Sequence, residues 1–125
     1  MKICLTYLLG CGIICRLSLE RENKSQSFLD KIFTRTEQDY CLSKAKPSQH
    51  FAVRFCAKEA VVKALTSLGF SAPSYRDIEI VNNESGAPEV CLRAGYDTPV
   101  SFSLSLSHSR TNALACVLAT ASQVS

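Results

Sequence analysis

From Val100 the chain alternates strictly, with Val100, Phe102, Leu104 and Leu106 on one face and Ser101, Ser103, Ser105 and Ser107 on the other. A period of two predicts a strand with one packed face and one open face, and His108 falls in phase with the apolar set. A tight connection at Ser109-Arg110-Thr111-Asn112 leads into 113–119, where small and apolar residues occupy both faces. That pattern predicts a strand covered from two sides. Upstream, 77–81 and 89–92 read as two shorter strands, and the intervening Asn82-Asn83-Glu84-Ser85-Gly86-Ala87-Pro88 is rich in turn formers, which predicts a hairpin. Near the start, Ile3 to Leu9 predicts a first strand that ends at Gly10-Cys11-Gly12.

Between these strands the period lengthens. The segment 25–46 is polar with a thin apolar stripe of Phe28, Leu29, Ile32 and Phe33, then Tyr40 and Leu42, which predicts two short helices. Thr34-Arg35-Thr36-Glu37 fits a capping box, so the second should start near Arg35. Pro47 then breaks the chain, Ser48 is the predicted N-cap, and 50–68 runs as one long helix until Gly69 supplies a left-handed stop. The sum is an α+β domain: an antiparallel sheet packed against one long helix plus short helices, a single domain over 1–125.

Composition adds exclusions. With 46% hydrophobic and 20% charged residues the chain is of ordinary globular type. The net charge of +3 suits an acidic or phosphorylated partner but lacks the dense basic stripe of a nucleic-acid binder. Seven cysteines without a CxxC pair signal neither a closed disulfide framework nor a zinc site, and read as reduced thiols serving as small apolar residues. No apolar run approaches the roughly 18 residues needed to span a bilayer. The start, with Leu8-Leu9-Gly10-Cys11, also resembles a truncated lipoprotein signal, which would anchor the chain at Cys11; the strand reading of the same residues places the protein in the cytoplasm, with no membrane association.

The chemistry concentrates on the long helix. Arg54 and Lys58 share one azimuth, while Glu59 and Lys63 share another roughly a third of a turn away, with apolar arcs between. In one reading Glu59 and Lys63 form an i,i+4 pair and Arg54 and Lys58 snorkel to water. In the other, Glu59 holds Mg²⁺ while the cations bind phosphate oxygens. His108 likewise reads as a core histidine or as a strand-end ring that reaches a phosphate. Cys56 lies on an apolar arc and carries no nucleophile motif.

The run Arg54-Phe55-Cys56-Ala57-Lys58-Glu59-Ala60-Val61-Val62-Lys63-Ala64-Leu65 resembles the helix signature of the phosphopantetheinyl transferases, above all the short bacterial holo-acyl-carrier-protein synthase type. Phe33-Thr34 with Glu37 and Tyr40, Asp77-Ile78-Glu79-Ile80, Gly86-Ala87-Pro88 and Ser105-Leu106-Ser107-His108 follow in that family's order, from about Gly10 to Ala119. The resemblance implies a transferase of lipid and fatty acid metabolism. It would move the 4'-phosphopantetheine arm of coenzyme A, its co-substrate, to a serine of apo acyl carrier protein, with Mg²⁺ as cofactor and adenosine 3',5'-bisphosphate released. By that resemblance Glu59 is the metal ligand and, with Lys63, catalytic. Arg54, Lys58, Gly86, Pro88 and His108 bind the coenzyme, helped by Lys44 and Lys46, and the short chain builds its site as a homotrimer. One position departs from the family. Its first strand carries a second metal carboxylate in Gly-x-Gly-Ile-Asp-Ile, whereas this chain reads Gly10-Cys11-Gly12-Ile13-Ile14-Cys15. Ile14 in place of Asp implies weaker metal binding, with Glu20 or Glu22 as substitutes, and opens the alternative of a catalytically impaired coenzyme A or carrier-protein binding homologue.

Overall fold

The alternating segment and the small apolar segment after it do pair, and the latter also pairs with the first strand. The computed structural model describes residues 2–15, 26–93, 96, 98–110 and 112–124, with 2–15 and 122–124 described by backbone pairing alone. The order is β1 (Lys2–Cys15), α1 (Gln26–Ile32), α2 (Arg35–Leu42), α3 (Pro47–Ser67), a 3-10 turn (Tyr75–Asp77), β2 (Ile78–Asn82), β3 (Pro88–Leu92), β4 (Val100–His108) and β5 (Asn112–Val124). β5 is the centre of an antiparallel sheet of order β1-β5-β4, and β2 and β3 form the expected hairpin as a separate sheet. The α+β architecture read from the sequence is the one observed. No described helix is long and apolar enough to cross a membrane.

Two strand expectations need correction. β1 does not stop at the glycines; its register with β5 shifts between Leu9 and Cys11 and the strand runs on to Cys15, so Gly10 serves a bulge. β5 is buried on one face only within the chain. Ala113, Ala115, Val117, Ala119 and Ala121 lie against α3, whereas Leu114 is 39% exposed and Cys116 and Leu118 are half-buried on the opposite face. The alanines let helix and sheet approach closely, and α3 answers with buried Ala52, Ala57, Ala60 and Ala64. At that contact Cys56 Sγ reaches Ala113 O at 3.4 Å. Cysteine acts here as a small apolar residue, as it does at Cys41, whose thiol burial pushes up to about 12.

The helix ends follow their local chemistry. Thr34 caps α2 through the predicted box, with Glu37 N donating to Thr34 Oγ1 at 3.2 Å and Thr34 N donating to Glu37 Oε1 at 2.9 Å. α3 starts earlier than expected, with Lys46 rather than Ser48 at the N-cap, because Pro47 fits the first turn, where its missing N–H has no partner to lose. It ends at Gly69, with φ of 87°, where Phe70 N donates to Leu65 O and Gly69 N to Thr66 O, a Schellman closure.

The reading of Arg54 and Lys58 as solvent-seeking is overturned, since both are buried. Lys58, with no exposed surface, donates to Glu37 Oε1 at 2.6 Å, Ile32 O at 2.8 Å and Tyr75 O at 2.8 Å. Glu37 Oε2 in turn accepts from Ile80 N at 2.9 Å. An ammonium has three protons, and all three are placed. Replacing Glu37 by Gln leaves that ammonium uncompensated, and we expect a loss of about 3–5 kcal/mol by urea denaturation. The double replacement Glu37→Leu with Lys58→Met should cost clearly less than the sum of its single changes.

Candidate active site

Four of the residues singled out in the sequence meet in one pocket of about 330 Å³: Arg54 from α3, His108 at the end of β4, and Gly86 and Pro88 from the hairpin. Each is placed by local structure. Gly86 has φ of 87°, a conformation that favours glycine, in a turn held by the Asn83 side chain. Asn83 Oδ1 accepts from Ser85 N at 2.9 Å, Ser85 Oγ at 2.6 Å and Ala87 N at 3.0 Å. Pro88 then opens β3 opposite Asn82. His108 continues the apolar phase of β4 two residues beyond Leu106, its last covered position, so it is exposed in the pocket wall.

The floor is a stack of rings and cations. The Arg54 guanidinium lies 4.2 Å from the centroid of the Tyr40 ring, and Lys44 Nζ lies 4.5 Å from the same ring. Asn82 Nδ2 donates to Tyr40 Oη at 3.0 Å, and the His50 ring stands edge-on to Tyr40 at 5.8 Å. Arg54 is only 3% exposed, and its Nε has no hydrogen-bond partner. An unpaired buried donor of a charged group is costly, and here it borders a cavity that no described carboxylate lines. The arrangement suits an anion with several oxygens, such as a phosphate ester.

The other site residues are placed elsewhere. Lys58, counted with the coenzyme contacts, is spent on Glu37, Ile32 and Tyr75 and has no proton left for a ligand. Glu59 is half-buried and Lys63 exposed, on a different azimuth of α3 from Arg54. The expected Glu59–Lys63 ion pair is not formed, and among the described residues no cation pairs with Glu59. Glu59 lies near Tyr75, whose hydroxyl is held above its ordinary range by burial and then by that carboxylate. Ile14 sits in β1 opposite Ala113, and Glu20 and Glu22 lie outside the described residues. Lys46 is exposed at the start of α3. In the sequence Asn82 reads only as a turn former and position 50 only as the start of the long helix; neither lies in a pattern that marks it for a site. A second cavity, lined by Thr34, Arg76, Asp77, Glu79 and Arg93 among others, holds none of these residues. Its cations are engaged, Arg93 with Asp77 and Arg76 with Asp30 O.

Comparison with known proteins bears on the family and the fold. Residues 13–119 match the family model of the 4'-phosphopantetheinyl transferase superfamily. A holo-[acyl-carrier-protein] synthase of Chlorobaculum parvum is 39% identical over 105 residues, covering 84% of this chain and 89% of its own. One of Chlamydia caviae is 45% identical over 106 residues, covering 82% and 85%. The crystal structure of a Bacillus anthracis holo-(acyl-carrier-protein) synthase in complex with CoA (3',5'-ADP) superposes with a TM-score of 0.75 at 26% identity, over 92% of this chain and 99% of that one.

Arg54 Nε is buried without a hydrogen-bond partner among the described residues. Arg54→Met should leave urea stability within about 1 kcal/mol while weakening pyrophosphate binding by about 10- to 100-fold in calorimetric titration, as expected for a lost charge-assisted contact.

Proposed function

The chain belongs to the 4'-phosphopantetheinyl transferase superfamily, and from that membership we propose that it acts as a holo-acyl-carrier-protein synthase, transferring the 4'-phosphopantetheine group of coenzyme A to a serine of apo acyl carrier protein. Adenosine 3',5'-bisphosphate is the leaving product. The observation that carries the reading is the convergence of buried Arg54, His108 and the Gly86–Pro88 turn on one pocket without a described carboxylate. These residues bind and orient the bisphosphate half of the coenzyme, which fixes the scissile phosphoanhydride bond of its pyrophosphate relative to the incoming serine. Lys63 neutralises charge on the pyrophosphate or takes part in moving the serine proton.

Among the described residues no three His, Cys, Asp or Glu side chains form a metal site by themselves. Half-buried Glu59, which no cation pairs with among the described residues, nevertheless fits Mg²⁺, which is commonly held by one or two carboxylates together with substrate phosphates and water. Bound there, Mg²⁺ would stabilise charge developing on the pyrophosphate. Glu59 would supply the carboxylate oxygen, and a second carboxylate at position 14 is absent. The thiols of Cys41 and Cys91 support a reducing, cytoplasmic setting.

The site is divided within one chain. Arg54 and Glu59 are five residues apart, roughly 140° around the helix, so the pocket and the carboxylate face different ways. A homotrimer joins them, with Glu59 and Lys63 of one protomer completing the pocket of its neighbour. The open face of the sheet supports this assembly, since exposed Leu114 lies beside half-buried Cys116 and Leu118. A cavity of about 250 Å³ next to His108 opens onto the same face, with Ser107, Asn112 and Leu114 in its wall.

Incubation with coenzyme A, Mg²⁺ and apo acyl carrier protein should add the phosphopantetheine mass to the carrier by mass spectrometry; no added mass at high enzyme concentration would overturn the reading. Glu59→Gln should abolish this Mg²⁺-dependent transfer with the circular dichroism spectrum unchanged, and Ile14→Asp should raise the apparent Mg²⁺ affinity in the same assay. Light scattering coupled to size exclusion should give three times the chain mass of 13.7 kDa. A stable monomer at micromolar concentration would contradict the shared site.

A further inference from the structure

His50 lies on the first turn of α3, half-buried, in the wall of the same pocket. Its ring centroid is 5.7 Å from that of His108, and one turn further along the helix comes Arg54 with its unpartnered Nε. We infer that His50 is an anion-contacting residue that takes up a proton from solvent as a phosphate group seats between it, His108 and Arg54, so that ligand binding tightens as pH falls. This rests on the coenzyme A reading of the pocket and adds to it a residue and a proton.

Among the described residues, the groups that face His50 are Tyr40 from α2, Lys44 just beyond α2, Arg54 on its own helix, Asn82 from the hairpin and His108 from β4. None of them is a carboxylate. Another positive charge is therefore disfavoured there, and burial, then Arg54, His108 and Lys44, hold the His50 imidazole below its ordinary value. A phosphate reverses that balance. Its negative charge favours the imidazolium, which can donate from both ring nitrogens where the neutral ring donates from one.

The sign follows from linkage. The proton binds more tightly in the complex than in the free protein, so affinity is greatest below the free-state pKa and falls as pH rises through the window between the free and bound values. Each unit by which binding raises the His50 pKa corresponds to about a tenfold range of affinity across that window. The phosphate titrates too, but equally in any variant, so the contribution of His50 is the difference between proteins.

The test is calorimetric titration with adenosine 3',5'-bisphosphate in buffers of different ionisation enthalpy, comparing the parent with His50→Phe and His50→Gln. His50→Phe keeps an aromatic edge on Tyr40, and His50→Gln keeps a polar side chain should the first fold poorly. The parent should take up a larger fraction of a proton per ligand than either variant, and its affinity advantage should grow about threefold or more from pH 8 to pH 6. Equal proton uptake in all three proteins overturns the inference and leaves the coenzyme A reading standing. Absence of bisphosphate binding by the parent overturns both.

Discussion

A single buried ammonium sets how the long helix is turned on its axis. Placing the Lys58 charge out of water costs several kcal/mol unless each proton finds an acceptor, and its acceptors come from the end of α1, the first turn of α2 and the 3-10 turn before β2. Through Glu37 the same cluster reaches the backbone of β2 at Ile80, and Thr34 Oγ1 adds a bond to Glu79 Oε2 at 2.6 Å. With Lys58 pinned at that azimuth, Arg54, one turn earlier, is carried to the ring of Tyr40, and Glu59, the next residue, is swung out of the core. The directions of the functional charges are thus a by-product of satisfying one that has no functional contact.

This explains why the helix signature mixes residues of different duties. Spacing alone groups Arg54 with Lys58 and Glu59 with Lys63, and chemistry divides them again. Arg54 keeps a donor in reserve beside a cavity, whereas Lys58 keeps none. A buried cation that is fully hydrogen-bonded serves the fold; one that is buried and incompletely hydrogen-bonded is a candidate ligand contact.

Much of this was legible beforehand because it is local. The strand β4 follows from its strict alternation, the α2 cap from Thr34 and Glu37, the end of α3 from Gly69, and the hairpin from its turn residues. The meeting of Arg54, Gly86, Pro88 and His108 was anticipated through the resemblance to a family rather than through spacing. What escaped was non-local. A capping-box glutamate uses one oxygen near its own helix, and nothing in the sequence says that its carboxylate also serves a lysine one helix further on. The reading of 113–119 failed on one face for a similar reason: apolarity reports that a face wants cover and is silent on whether the same chain supplies it. The glycines at 10 and 12 resembled a strand end because a bulge and a terminus both select glycine.

The pairing of β1 with β5 has a consequence in time as well as in space. Lys2 lies opposite Val124 and Cys15 opposite Asn112, so β1 leaves the ribosome long before the strand that is its hydrogen-bonding partner. The helices, their caps and the hairpin can all form from nearby residues, but the three-stranded sheet must wait for nearly the whole chain. Until then a long edge of unpaired backbone stands open, and the interval between its emergence and its capture is when this protein is most exposed to pairing with the wrong strand.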